Sequence, residues 1–140
     1  MYKKIFHLLF FVILFASSAK AQLEKTIHQT FEVKDLATIS INLISDSTLI
    51  IPWAGNTILT ETKVELYDAS PSILAHFMDK EQRYVIQADT SGNGIQLYNV
   101  NQERKPIRTQ QGECFEQVRI RVFVPEDFKQ ENSSTLVRIN

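Results

Sequence analysis

Residues 118–124 read Val-Arg-Ile-Arg-Val-Phe-Val. Successive side chains of a strand point to opposite sides, so Val118, Ile120, Val122 and Val124 share one face and Arg119, Arg121 and Phe123 the other. A helix would scatter these residues around its surface; only a sheet with one dry and one wet face uses the pattern. The same period recurs along the chain. Residues 26–33 carry Ile27, Phe31 and Val33, and residues 38–44 put Ile39, Ile41 and Leu43 on one side. Residues 48–51 extend to Pro52, and residues 57–67 are rich in Thr, with Ile58, Val64 and Leu66 in phase. These residue types suit a pleated, half-buried surface.

One segment has a different period. Ile73, Leu74, Phe77 and Met78 make a single apolar stripe on a helix. Ser70 is placed to cap it, and Pro71 suits the first helical position, where a missing N–H costs nothing. The spacing predicts a helix over about 71–82, lying on an otherwise open sheet face. The fold class is therefore mainly β: an antiparallel curved sheet or sandwich with one short helix packed on it.

The N-terminus is organised for export. Lys3 and Lys4 precede an apolar run over residues 5–16, interrupted only by His7, and Ala19 and Ala21 form an A-x-A cleavage pattern. The run of 12 residues is shorter than the ~20 a membrane-spanning helix needs. Cleavage between Ala21 and Gln22 is expected, with no transmembrane segment in the mature chain. The expected organisation is a leader over 1–21, a single β-rich domain over 22–128, and a polar tail over 129–140 that adds a last short strand from Thr135. The location is outside the cytoplasm: periplasm, cell surface or extracellular. Without Lys3, Lys4 and Lys20, 12 basic residues face 16 acidic ones, a net charge of −4. A mildly acidic chain with scattered charges has no footprint for nucleic acid.

Motifs for chemistry are few. Asp89-Thr90-Ser91-Gly92-Asn93-Gly94 matches the first half of a calcium loop, but the bidentate acid due at position 12 would be Val100. The same residues make a hairpin turn between the strands 83–89 and 94–100, with Gly94 the glycine to hold a positive φ. His28 and His76 stand in no nucleophile, elbow or metal-ligand pattern. Arg119, Arg121 and Glu113 share a strand face and suit either an anion or cross-strand ion pairs. Asn132-Ser133-Ser134 fits a glycan acceptor, relevant in a eukaryotic secretory pathway alone. The single cysteine, Cys114, excludes an internal disulfide. Its parity places it inward, with Glu116 as a polar interruption of the same face. No catalytic, cofactor or metal site is expected.

The chain from about Phe31 to Phe128 resembles bacterial exported proteins of the auto-transporter adhesin, head GIN domain type. The matching residues are Phe31-Glu32-Val33, the strand pair from Ile39 to Ile51, the Trp53-Ala54-Gly55-Asn56 turn, the closing Arg119-Ile120-Arg121-Val122-Phe123-Val124-Pro125, and the leader ending Ala-Lys-Ala. In that family an irregular β segment leads into a right-handed stack of short strands, and the resemblance covers the N-terminal module alone. It implies adhesion or scaffolding in the envelope, with a protein or glycan of the cell envelope as partner, and no catalytic residues. The function expected is a non-catalytic binding or scaffolding module. A small-ligand carrier with an apolar pocket between helix and sheet is the alternative, and a small hydrolase ranks third.

Overall fold

The computed structural model describes residues 22–139. The expected leader, with Ala21 of the cleavage pair, lies outside the described residues. The chain forms two sheets that face each other across one core, as the alternation requires. Sheet 1 contains β1 (Leu23–Glu32), β4 (Thr57–Tyr67), β9 (Phe115–Pro125) and β3 (Ser47–Trp53), in the spatial order β1-β4-β9-β3. Sheet 2 contains β10 (Phe128–Gln130), β11 (Thr135–Arg138), β2 (Thr38–Asn42), β6 (Gly94–Asn99) and β5 (Ile86–Ser91), in the order β10-β11-β2-β6-β5. A two-rung ladder joins β7 (Arg108–Thr109) to β8 (Gly112–Glu113).

The sheets are mixed, which corrects the expected antiparallel arrangement: β3 runs parallel to β9 and β2 parallel to β6. Alternation reports which face is dry and carries no signal for strand direction. The segments 39–44 and 48–51, read as a strand pair, belong to different sheets. Asp46 explains the switch. Its backbone N–H donates to the Val118 carbonyl at 2.8 Å, and its carboxylate accepts from the Val118 N–H at 2.7 Å. The turn is thereby pinned to β9.

The inner face of sheet 1 presents Ile58, Val64, Leu66, Val118, Ile120, Val122 and Val124. Sheet 2 answers with Ile39, Ile41, Ile86, Ile95, Leu97 and Leu136. Gln29 ties the two sheets: its side-chain amide donates to the Ile86 carbonyl and accepts from the Ile86 N–H, both at 2.9 Å. Thr60 and Thr62 place two buried hydroxyls on this face, and Thr62 differs in its bonding. It is 1 % exposed, and its Oγ1 has no hydrogen-bond partner among the described residues. A buried hydroxyl left unpaired costs about 1–3 kcal/mol. Thr62→Val is expected to raise the urea midpoint, an outcome checked by equilibrium unfolding; a lowered midpoint would show that the hydroxyl is satisfied.

The helix is shorter than predicted. α1 (Pro71–Ala75) continues as one π-helical turn, His76–Lys80, and stops before Gln82, whose φ of +48° cannot extend a right-handed helix. Ser70 caps it, its hydroxyl accepting from the Ile73 N–H at 3.4 Å. It carries the chain from β4 in sheet 1 to β5 in sheet 2. Buried Leu74 and half-buried Ile73, Phe77 and Met78 pack against the core. In the β5–β6 hairpin the positive φ, +57°, belongs to Gly92, not to Gly94. Gly94 is required for a different reason: a Cβ there would lie 2.4 Å from Thr38 Oγ1 on the neighbouring parallel strand. The last strand forms as expected from Thr135, but it lies inside sheet 2, between β10 and β2, so residues 131–134 are a connection within the domain and not a tail beyond it. No helix among the described residues is long and apolar enough to cross a membrane.

Candidate functional site

The residues singled out for chemistry do not converge. His28 Nε2 lies 3.3 Å from Glu61 on the outer face of sheet 1, while His76 Nε2 lies 3.4 Å from Glu81 beside the helix. Cys114 sits with neither: its thiol donates to the Asp68 carbonyl at 3.3 Å. Burial, then the nearby carboxylates of Asp68, Glu113 and Glu116, push that thiol's pKa up. Cys114 is 6 % exposed and inward, as its parity predicts. It is expected to react with a thiol reagent at least about a hundredfold more slowly in the native protein than in denaturant; equal labelling rates would contradict the placement. Asp89 lies within β5 opposite Gln96, so the turn proper is Ser91–Gly94 and the calcium-like spacing is spread along a strand.

Arg119 and Arg121 form the cross-strand pairs that their position suggests. Arg121 reaches Glu61 and Arg119 reaches Glu65, at 2.5 and 2.7 Å. Glu113 is not part of this set and lies 4.0 Å from Arg108. The hydrogen bond from Arg121 holds Glu61 below the usual carboxylate range, outweighing its partial burial, with His28 adding to the effect. At Glu65 burial pushes the pKa up, but Arg119 and Lys63 together overcome it and the net shift is downward.

These pairs divide the outer face of sheet 1 into zones. The register places Leu59, Phe123 and Ile51 in one row across β4, β9 and β3. The next row runs His28, Glu61, Arg121 and Leu49. Trp53 closes the apolar end: its ring stands edge-on to Phe123 with centroids 6.4 Å apart, and its indole N–H donates to the Thr57 carbonyl at 2.9 Å. Gly55 makes room for this ring, since a Cβ there would lie 2.2 Å from Trp53 Cζ2. Leu49 is 58 % exposed, and Ile51, Trp53, Leu59 and Phe123 are half-buried. The result is a rigid apolar patch on a sheet, bordered by paired charges.

A second feature was not foreseen. Glu116, the polar interruption of the dry face of β9, keeps its side chain 9 % exposed and receives Arg83 in a bidentate pair at 2.8 and 2.9 Å. The Tyr84 hydroxyl donates to the same carboxylate. Arg104 lies 3.4 Å away and bridges to Asp46. Arg83 also donates to the Lys105 carbonyl at 2.6 Å and stands over the Phe77 ring. Burial and then the Glu116 charge push the Tyr84 phenol up, while Glu116 holds Arg83 protonated against its own desolvation. The network fastens the 101–107 segment to β9 of sheet 1 and to the Arg83–Tyr84 stretch that leads into β5. The acid on an otherwise apolar strand face was the sequence signal for it.

A groove of about 970 Å³ opens between the helix and the β7–β8 ladder. Ile73, Phe77 and Ala69 supply its apolar surface, and Asp68, His76, Arg108 and Gln110 are among its polar lining. It is open and mixed in character, unlike the enclosed apolar pocket a carrier of greasy ligands needs. Among the described residues no cluster of three or more His, Cys, Asp or Glu is placed to hold a metal ion. No protein-family model, curated protein or solved structure matches this chain.

Proposed function

We propose that the chain is an exported, non-catalytic binding module of the bacterial cell envelope, and that the outer face of sheet 1 is its contact surface for a protein partner. The observation that carries this reading is the row Leu59–Phe123–Ile51, extended by Trp53 and Leu49, on the solvent side of a sheet. An apolar patch fixed in place and rimmed by charges has the anatomy of an interface, with a desolvating centre and a polar border. The Arg121–Glu61 and Arg119–Glu65 pairs form that border, and paired charges orient a partner without opposing desolvation of the centre. Export and an adhesin-like role follow from the leader and from the resemblance to head GIN domain proteins.

The test is retention of envelope proteins by the immobilised mature domain, compared with Leu49→Asp and with Gln96→Asp on the exposed side of sheet 2. A band captured by the wild type and by Gln96→Asp, and lost with Leu49→Asp, is the expected outcome. Equal capture by all three would remove the outer face of sheet 1 from the account.

A further inference from the structure

The open edges of the two sheets are guarded unequally. An unpaired edge invites another strand, and charge or a covering side chain discourages it. β1 carries Glu24, Lys25 and Glu32, and the Ile86 backbone on β5 is already bonded by Gln29. β10 is three residues long and includes Lys129. β3 reads Ser-Thr-Leu-Ile-Ile-Pro-Trp, with no charged residue, and it pairs with β9 alone. The Trp53 carbonyl turns toward the β9 side, accepting from the Glu126 N–H at 3.2 Å. By the alternation of a strand, Thr48 and Ile50 then direct their N–H and C=O groups to the open side. Pro52 has the same parity, so its missing N–H costs no ladder bond.

The space beside this edge lacks a strand. Sheet 1 has four strands and sheet 2 five. At one side the sheets are level, since Gln29 of β1 reaches Ile86 of β5. The surplus therefore falls at the other side, where β10 extends past β3. Gln130 records it: it shares the inward parity of its ladder partner Leu136, yet it is exposed while Leu136 is buried. A groove of about 500 Å³ lies between β3 and β10, and Ile41, Leu43, Ile50, Gln130 and Ser133 in its lining are apolar or neutral. From this we infer that the groove receives an extended, neutral segment of a partner protein, which adds a fifth strand to sheet 1 beside β3 and over β10. The inference rests on the reading of sheet 1 as a protein-contact surface and names the form of the contact: main-chain bonds to Thr48 and Ile50, with alternate side chains entering the groove and extending the outer apolar face. An acyl chain would cover those backbone groups without bonding them. A second copy pairing β3 with β3 is opposed by the surplus itself, because each β10 projects into the place the other copy's sheet 2 must occupy.

The probes are acetylated nonapeptides in which Thr alternates with Val, Ile or Leu, each carrying a fluorophore and a polyethylene glycol tail, compared with peptides of the same composition whose apolar residues form one block. Saturable binding of an alternating peptide to the purified mature domain is expected by fluorescence anisotropy, weakened at least about tenfold by Thr48→Pro, which removes one free N–H from an exposed position. Far-UV circular dichroism verifies the fold of that variant. In the wild type, hydrogen exchange of the Thr48 and Ile50 amides should slow at least about tenfold at saturating peptide, a result that decides the matter even if Thr48→Pro does not fold. No binding by any alternating peptide, equal binding by the block peptides, unchanged binding by folded Thr48→Pro, or binding that leaves both amides unprotected would each overturn the inference. Capture of an envelope protein that Leu49→Asp loses and Thr48→Pro retains would overturn it too, while leaving the sheet-face reading in place.

Discussion

Glu116→Ala is expected to destabilise the domain by about 3–5 kcal/mol, the range for breaking a buried ion pair by removing one partner. The side chain of Arg83 is 3 % exposed and would keep its charge with the Lys105 carbonyl as its remaining hydrogen-bond acceptor. Tyr84 would lose the acceptor of its hydroxyl, and Arg104 one of its two acidic neighbours. The sign of the effect in a double change separates pairing from packing. Arg83→Met with Glu116→Leu removes both charges and fills the space, so it should recover most of the loss, because two absent charges need no desolvation. Urea unfolding of the three variants measures this. A shifted midpoint at constant slope reports stability alone. A Glu116→Ala protein within about 1 kcal/mol of the wild type would contradict the buried network.

Leu97→Ala carries the second large effect, about 2–5 kcal/mol by the usual cost of emptying a leucine site in a core. Leu97 lies at the middle of β6, with Ile41 of β2 on one side and Ala88 of β5 on the other, and it is fully buried. It is flanked by strands that cannot both close on a void, so little relaxation is available. Leu49→Ala supplies the contrast: the same deletion on the exposed edge strand β3 should cost less than about 0.5 kcal/mol. If the two leucines cost the same, the assignment of dry and wet faces is wrong.

The alternation itself was legible, and it was right where the chain is most regular. Val118, Ile120, Val122 and Val124 are all buried, and Arg119 and Arg121 face water. Ser70 and Pro71 marked the helix start, because capping is local chemistry that needs no tertiary information. What was not legible required knowing which strand lies beside which. Strand direction, the division of β2 and β3 between two sheets, and the position of β11 inside sheet 2 all depend on pairings far apart in sequence. The Glu116 network belongs to the same class. Arg83 and Glu116 are 33 positions apart, and Arg104 and Asp46 are 58 apart. In isolation Glu116 reads as a defect in a strand; its meaning comes from the guanidinium that the fold delivers to it. The candidate contact surface was half visible. Trp53 and its turn stood out, and Phe123 was placed on the wet face, but the row they form with Leu59 and Ile51 is a product of register.

The central claim is that the outer face of sheet 1 meets a protein partner outside the cytoplasm. A photo-crosslinking residue placed at position 49 in the full chain, irradiated in intact cells, tests it directly. The account predicts a discrete higher-mass adduct of the processed form starting at Gln22, with no such adduct when the probe is moved to position 96 on sheet 2. Unprocessed protein, or adducts of equal yield from both positions, would contradict it.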